Sequence, residues 1–459
     1  MGAPDKLIGG SFFSLLFTKQ KFGVIIKIQT YVLFKKGVNV VLERDNIVMH
    51  IDVNSAFLSW QAAYNRQMGM EEDIREIPAV IGGSEERRHG IVLAKSIPAK
   101  KLGVKTGESL MEARQKCPNL KVIPPSYDVY TRASRKLRDL LAEYAPKIDV
   151  FSIDECFMDF SGTRDLFGDP EELAHRIRKR IKKEFGYTVN IGISTNKLLA
   201  KQASEFEKPD KVHTLYPEEI QEKLWPLPVG ELFMVGYRTV PKLNQLNIYT
   251  IGELANTDRE LISGLLKSHG RLIHDYAWGK DASKFSEKSS MPFKGVGNGS
   301  TIHFDVEDRL TAHKILLSLV ETASKRLRDE DMSCRVVAVG IKNKDFGYHS
   351  HQRKIPVFTN CTHDLFEIIR ELFDETWDGS PIRHMNVRFT DLERTKFKQL
   401  NFFQNEYSMK MEKLDMAIDG IREKYGKYAV IRAEYIDSGL SPVLGGYPND
   451  EYPDMSSIL

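Results

Sequence analysis

Cysteine is scarce in this chain. Cys117, Cys156, Cys334 and Cys361 are all there are in 459 residues, and no two stand in a Cys-x-x-Cys spacing. That argues against a zinc site or a disulfide framework and fits a reducing cytoplasm. Net charge is nearly lacking too, since 66 Lys and Arg against 63 Asp and Glu leave only +3. Global charge therefore announces no nucleic acid, and any such contact has to come from local basic surfaces. Long apolar runs are missing as well. Ser11 to Phe17 and Val24 to Phe34 are apolar patches, but Lys19, Lys21 and Lys27 interrupt them. Neither reaches the roughly 18 residues that a membrane helix needs, and the pattern fits a signal peptide poorly. Residues 1–45 are read as a leader of unknown role, with no membrane association expected. No internal repeat occurs. The run Gly295-Val-Gly-Asn-Gly299 lacks the helix and Lys-Ser/Thr of a phosphate-binding loop and reads as a turn or strand edge.

What is present is a pair of acidic signatures about a hundred residues apart: Ile47-Val-Met-His-Ile-Asp-Val-Asn-Ser-Ala-Phe57 and Phe151-Ser-Ile-Asp-Glu-Cys-Phe-Met-Asp-Phe160. Each sets carboxylates in a short apolar, β-branched run of the kind that forms a buried strand. An ionised carboxylate in such a place is costly without a partner, and Asp52, Asp154 and Glu155 have no basic neighbour in sequence. Mg²⁺ is a natural partner for hard carboxylate oxygens beside substrate phosphates. Three such groups on two strands suggest a two-metal phosphoryl-transfer site. Adjacent strand residues point to opposite faces, so Asp154 and Glu155 share a site only if the chain turns there.

From Ile47 to Phe403, these signatures and what lies between and after them resemble the Y-family translesion DNA polymerases, in particular the bacterial DNA polymerase IV (DinB-like) branch. The resemblance implies an α+β multidomain right-hand polymerase performing low-fidelity DNA-directed synthesis with two Mg²⁺ ions. Its partners would be primer–template DNA, deoxynucleoside triphosphates and the bacterial sliding clamp, and the protein would be a cytoplasmic monomer. The expected parts are a palm at 46–57 and 126–208, fingers at 58–125, and a helical thumb at 209–285. A linker at 286–294, a β-α-β-β-α-β little finger at 295–398, a clamp-binding peptide at 399–403 and a C-terminal helix and tail at 404–459 follow.

Residue roles carry over from the same resemblance. Asp52 and Asp154 would bridge the two ions, Glu155 would hold the ion that activates the primer hydroxyl, and the carbonyl of Val53 would face the nucleotide-side ion. Phe57 stands where the family has its steric gate against a 2′-hydroxyl; a plain core aromatic is the alternative. Ser96, Lys100 and Lys201 would bind the triphosphate. Here the chain has Ile97 and Lys100 where the family commonly has Tyr and Arg, giving up the bidentate guanidinium fork. Gly236 marks a helix–hairpin–helix turn suited to a DNA phosphate, but Met234 replaces the first glycine of the usual Gly-Val-Gly; an ordinary helical hairpin stays open. Lys342 and Arg353 are DNA candidates on the little finger, whereas the run from Arg176 to Lys183 reads as a solvated helix face. Gln399, Leu400, Phe402 and Phe403 resemble the clamp peptide, in which two aromatics serve as anchors. Two other functions remain open: a nucleotide cyclase on a similar palm, and a non-enzymatic DNA-binding accessory.

Overall fold

The computed structural model describes residues 46–84, 90–285, 294–394, 406–436, 438–440 and 442. Its first layer is a five-stranded sheet in the order β5-β6-β1-β7-β8. The strands are β1 (Val48–Val53), β5 (Lys147–Val150), β6 (Glu155–Asp159), β7 (Val189–Ser194) and β8 (Val212–Thr214). Strand β1 lies antiparallel to both β6 and β7, with Asp52 opposite Glu155 and His50 opposite Gly192. Period-two alternation splits the side chains between two faces. Met49, Ile51, Cys156, Met158, Ile191 and Ile193 enter the main core. Helices α1 (Ala56–Gln67), α4 (Tyr127–Ala142) and α6 (Pro170–Phe185) supply its other side. The short α5 (Arg164–Phe167) precedes α6, whose start is fixed by the Asp169 side chain and Pro170 and whose end is fixed by Gly186 at φ 76°. A cap, a proline in the first turn and a left-handed glycine make up the expected boundary set.

Between α1 and α4 lies a three-stranded sheet, β3-β2-β4, of β2 (Ala79–Gly82), β3 (Val92–Lys95) and β4 (Lys121–Ile123), with helices α2 (Ile97–Lys101) and α3 (Leu110–Lys116). Beyond β8 the chain forms short helical turns: α8 (Val240–Asn244), α9 (Ile251–Asn256) and the longer α10 (Arg259–Ala277), around their own apolar cluster.

The last sheet is β11-β10-β12-β9, from β9 (Gly295–Val306), β10 (Met332–Asn343), β11 (Tyr348–Thr359) and β12 (Ile382–Arg394). Helices α11 (Arg309–Asp329) and α12 (Thr362–Thr376) cover one face and share its core. This is the expected β-α-β-β-α-β order, and the glycines from Gly295 to Gly299 begin its edge strand. The helix α13 (Glu406–Tyr425) docks through charge. Arg328 pairs with Asp419 at 2.7 Å, the Asp415 carboxylate accepts from the Thr362 amide at the start of α12, and buried Glu321 meets Arg422 and Arg432.

Candidate active site

The sheet face opposite the main core carries His50, Asp52, Glu155, Asn190 and Gly192, and α7 (Lys197–Glu205) lies across it. Gly192 permits that approach. A Cβ there would stand 1.9 Å from the Ala200 carbonyl oxygen and 2.4 Å from the Ser204 amide nitrogen. Asn196 caps α7 by accepting from the Leu199 amide, which fixes its rotation. Lys201 and Glu205, one turn apart, therefore face the ends of β1 and β6.

Oxygens of Asp52, Glu155 and Glu205 all lie within 4.8 Å of one another, the one such group among the described residues. Cations remote in sequence reach these carboxylates. Lys201 Nζ donates to Glu155 at 2.6 Å and lies 3.9 Å from Glu205. Lys208 Nζ pairs with Asp52, and with Glu205 at 2.8 Å. Buried His50 places Nδ1 2.8 Å from Ser204 Oγ and Nε2 3.4 Å from Glu155.

The surroundings drive the two facing carboxyls apart. Burial raises Asp52 to about 7, with Glu155 and Glu205 adding to the rise and Lys208 opposing it. Burial also works to raise Glu155, but hydrogen bonding to His50 and the charge of Lys201 hold it down at about 2. Such opposed shifts within one site mark functional carboxylates.

Asp154 lies in the turn between β5 and β6, so the chain does turn at the Asp-Glu pair. It is not one of the grouped acids: its Oδ1 accepts from Ser152 Oγ at 2.6 Å, and that hydroxyl oxygen also accepts from the Glu155 amide. Burial raises its pKa. The Asp154 carbonyl accepts from the Val53 amide at 3.1 Å, which ties the turn to the end of β1.

Phe57, on the first turn of α1, stacks on Tyr130 with ring centroids 4.7 Å apart and meets Tyr127 edge-on at 6.0 Å. Sequence reading missed those two backing rings on α4, as it missed Glu205 and Lys208. Ser96 does not offer a free hydroxyl. It is buried, donates to the Ile77 carbonyl at 2.7 Å and accepts from the Ala79 and Ala99 amides, so it serves as the cap of α2. Lys100 is exposed on α2, and Lys95 is near enough that burial and the Lys100 charge lower its pKa.

Met234 adopts φ 74°, so the turn ahead of Gly236 keeps its left-handed residue without a glycine. On the last sheet, Lys342 alternates with core-facing Ile341 and so occupies the open face, where it approaches the exposed Phe346 ring. Arg353 is turned the other way, toward α12, where Glu371 and Glu375 hold it at 2.6 and 2.5 Å. Those glutamates answer its charge, which corrects the expectation of a free DNA contact. The run from Arg176 is likewise engaged within the chain: Arg178 with Asp210, and Arg180 with Glu143 and Glu184. Gln399, Leu400, Phe402 and Phe403 lie outside the described residues.

Family models agree with this arrangement. The impB/mucB/samB family matches residues 51–205, its C-terminal domain residues 293–402, and the HHH motif of the IMS family residues 217–248. The DNA polymerase IV of Clostridium acetobutylicum is 46% identical over 392 residues, which are 85% of this chain and 98% of that one. DNA polymerase IV 2 of Bacillus subtilis is 35% identical, over 85% of this chain and 94% of its own. The chain belongs to the impB/mucB/samB family. Among solved structures, a Y-family DNA polymerase chimera of Dbh and Dpo4 matches with a TM-score of 0.64 at 24% identity, covering 75% of this chain and 98% of that one. An insertion ternary complex of Dbh DNA polymerase matches with a TM-score of 0.53 at 23% identity, with the same coverage. The right-hand polymerase architecture is thus the fold. Helix α13 lies beyond the last residue that the family models match.

Proposed function

We propose that this member of the family is a DNA-directed DNA polymerase for low-fidelity translesion synthesis, and that Asp52, Asp154 and Glu155 hold two Mg²⁺ ions for it. The observation that carries the reading is the convergence of Asp52 and Glu155 across the β1–β6 register. Hard, closely spaced carboxylate oxygens suit Mg²⁺, and Glu205 adds a further donor within reach. Two such ions, held by these carboxylates, would supply activation of the primer 3′-oxygen and neutralisation of the leaving pyrophosphate.

The chain's own residues do the rest. Asp154, held by Ser152 in the turn that the Val53 amide ties to the end of β1, would complete the set with Asp52 and Glu155. The Val53 carbonyl supplies a neutral oxygen at the same strand end. Lys201, with Lys100 and Lys95 on the fingers, offers cations for the triphosphate. Phe57, braced by Tyr130 and Tyr127, presents a rigid wall to the sugar. A wall of this kind excludes a 2′-hydroxyl by shape alone. Lys342, with Arg388 on the same open face, and Gly236 on the thumb turn would position the duplex through phosphates. The palm, fingers, thumb and little finger are proposed at the boundaries drawn from sequence, and all but one residue of the linker at 286–294 lies outside the described residues.

The peptide from Gln399 to Phe403 would bind the sliding clamp, a reading supported by its composition and its position after β12. A cytoplasmic location would suit the four free, buried cysteines, which a reducing compartment leaves as thiols.

The test is primer extension with Mg²⁺, comparing wild type with Asp154→Ala and Glu155→Ala. Wild type should extend the primer. Each variant should lose roughly 100-fold or more while keeping duplex binding, the scale of removing one electrostatic contributor to a transition state. Full activity in either variant overturns the metal assignment. Duplex binding without extension by wild type favours the accessory reading.

A further inference from the structure

The loop that follows α7 is built with unusual care for an exposed strand connection. Two buried asparagines grip it on either side of Lys208. Asn190 donates to the Ser204 carbonyl at 3.1 Å and the Glu207 carbonyl at 2.8 Å, and its side-chain oxygen accepts from the Lys211 amide at 3.3 Å. Asn54 accepts from the Asp210 amide at 2.9 Å and from Thr188, and donates to Asn190 at 3.1 Å. Arg178 and Lys182 hold the Asp210 side chain from outside. A buried amide is tolerated when its hydrogen bonds are met, and here both asparagines bond to backbone flanking one lysine, Asn190 three times and Asn54 once. Lys208 consequently arrives at the carboxylates with little freedom left to lose.

Its ammonium touches Asp52 and Glu205, two of the three acids whose oxygens converge. Lys201 occupies the Glu155 side of the same group. We infer that Lys208 competes with a divalent ion for the oxygens of Asp52 and Glu205, so that this lysine sets how tightly the site binds metal. The inference rests on the metal reading above. A fixed positive charge in contact with those oxygens repels a dication in the same place, and partial burial leaves that repulsion poorly screened. The sign is the distinguishing feature. A lysine that merely supports the fold would weaken metal binding when removed, whereas a competitor strengthens it.

The experiment measures Mn²⁺ binding to the full chain by electron paramagnetic resonance, without DNA or nucleotide. Wild type should bind Mn²⁺ and Asp52→Ala should lose that binding; if Asp52-dependent binding is lacking, the metal reading fails and the inference falls with it. Given that binding, Lys208→Met should bind about tenfold more tightly. Lys208→Arg, which keeps the charge, should stay near wild type. Lys211→Met, which removes a charge from the same loop where Lys211 faces Glu207 at 3.4 Å, should change nothing. Unchanged or weaker binding by Lys208→Met overturns the inference. Should that variant fail to fold, the wild type still decides. Acylation of Lys208 by a lysine-reactive ester, read by mass spectrometry, should rise several-fold as Mn²⁺ saturates while that of Lys211 stays flat. A Lys208 reactivity indifferent to Mn²⁺ overturns it equally.

Discussion

Ser204 crosses so close above Gly192 that a methyl group on the glycine would stand 2.4 Å from the serine amide nitrogen. The obstruction is backbone, which cannot rotate away. Gly192→Ala should therefore lift α7 from the sheet and carry Lys201, Ser204 and Glu205 with it. Overpacking of this kind costs about 1–3 kcal/mol or more, and a lowered melting temperature would record it. Because the displaced residues line the site, incorporation should fall beyond what the loss of folded protein explains. A variant of wild-type stability and activity would show that α7 rides on other contacts.

Met234 provides a prediction of the opposite sign. Its φ of 74° belongs to glycine, and a side chain there is strained by roughly 1 kcal/mol or more. Met234 is also packed against the thumb's apolar cluster, so replacing it gives up some burial. Relief of that strain should outweigh the lost burial, so Met234→Gly should raise the midpoint of denaturant unfolding and Met234→Ile should lower it. Duplex affinity should hold or improve for the glycine variant, since the turn ahead of Gly236 keeps its shape.

Phe57 gains its proposed selectivity from what stands behind it. Tyr130 stacks on its ring at 4.7 Å and is itself wholly buried. Phe57→Ala should open the sugar site and admit ribonucleotides, with deoxynucleotide use largely retained. Tyr130→Leu should loosen the same discrimination more mildly, by leaving the gate free to tilt. Steady-state incorporation of matched ribo- and deoxynucleotides separates these outcomes. Unchanged discrimination in Phe57→Ala would return that ring to the role of plain core aromatic.

Much of this was legible in the sequence, for identifiable reasons. The strand ending at Val53 follows from its short apolar, β-branched run. The helix and strand order of the last sheet is equally plain, because its elements are long and amphipathic. Partners brought in from a distance were not legible. Lys208 meets Asp52 across 156 residues, and no local pattern signals that. Glu205 reads as an ordinary helix acid until Gly192 is known to pull α7 onto the sheet. Arg353 looked like a DNA contact for want of the two glutamates that α12 turns toward it. Ser96 illustrates the reverse error: the family resemblance set its hydroxyl against the triphosphate, whereas the backbone had already claimed it.

The carboxyl of Asp52 links the site to pH. Burial raises it to about 7 from 3.8, so the folded protein favours the protonated form relative to the unfolded chain. That contribution to stability is complete below the unfolded value, and it drains away as pH climbs toward about 7. Metal requires the ionised form, so divalent binding must run the other way. Mn²⁺ affinity should weaken up to about tenfold for each pH unit below 7 and level off above it, where one proton no longer has to leave. Glu155, held at about 2, stays ionised throughout that window and adds no slope of its own. Thermal melts in chelator and Mn²⁺ titrations between roughly pH 5.5 and 8.5 test both limbs. Asp52→Asn should flatten the stability profile while abolishing tight metal binding. A Mn²⁺ affinity that stays constant from pH 6 to 8 would place the ionisation of Asp52 well below neutrality, with Lys208 outweighing its burial.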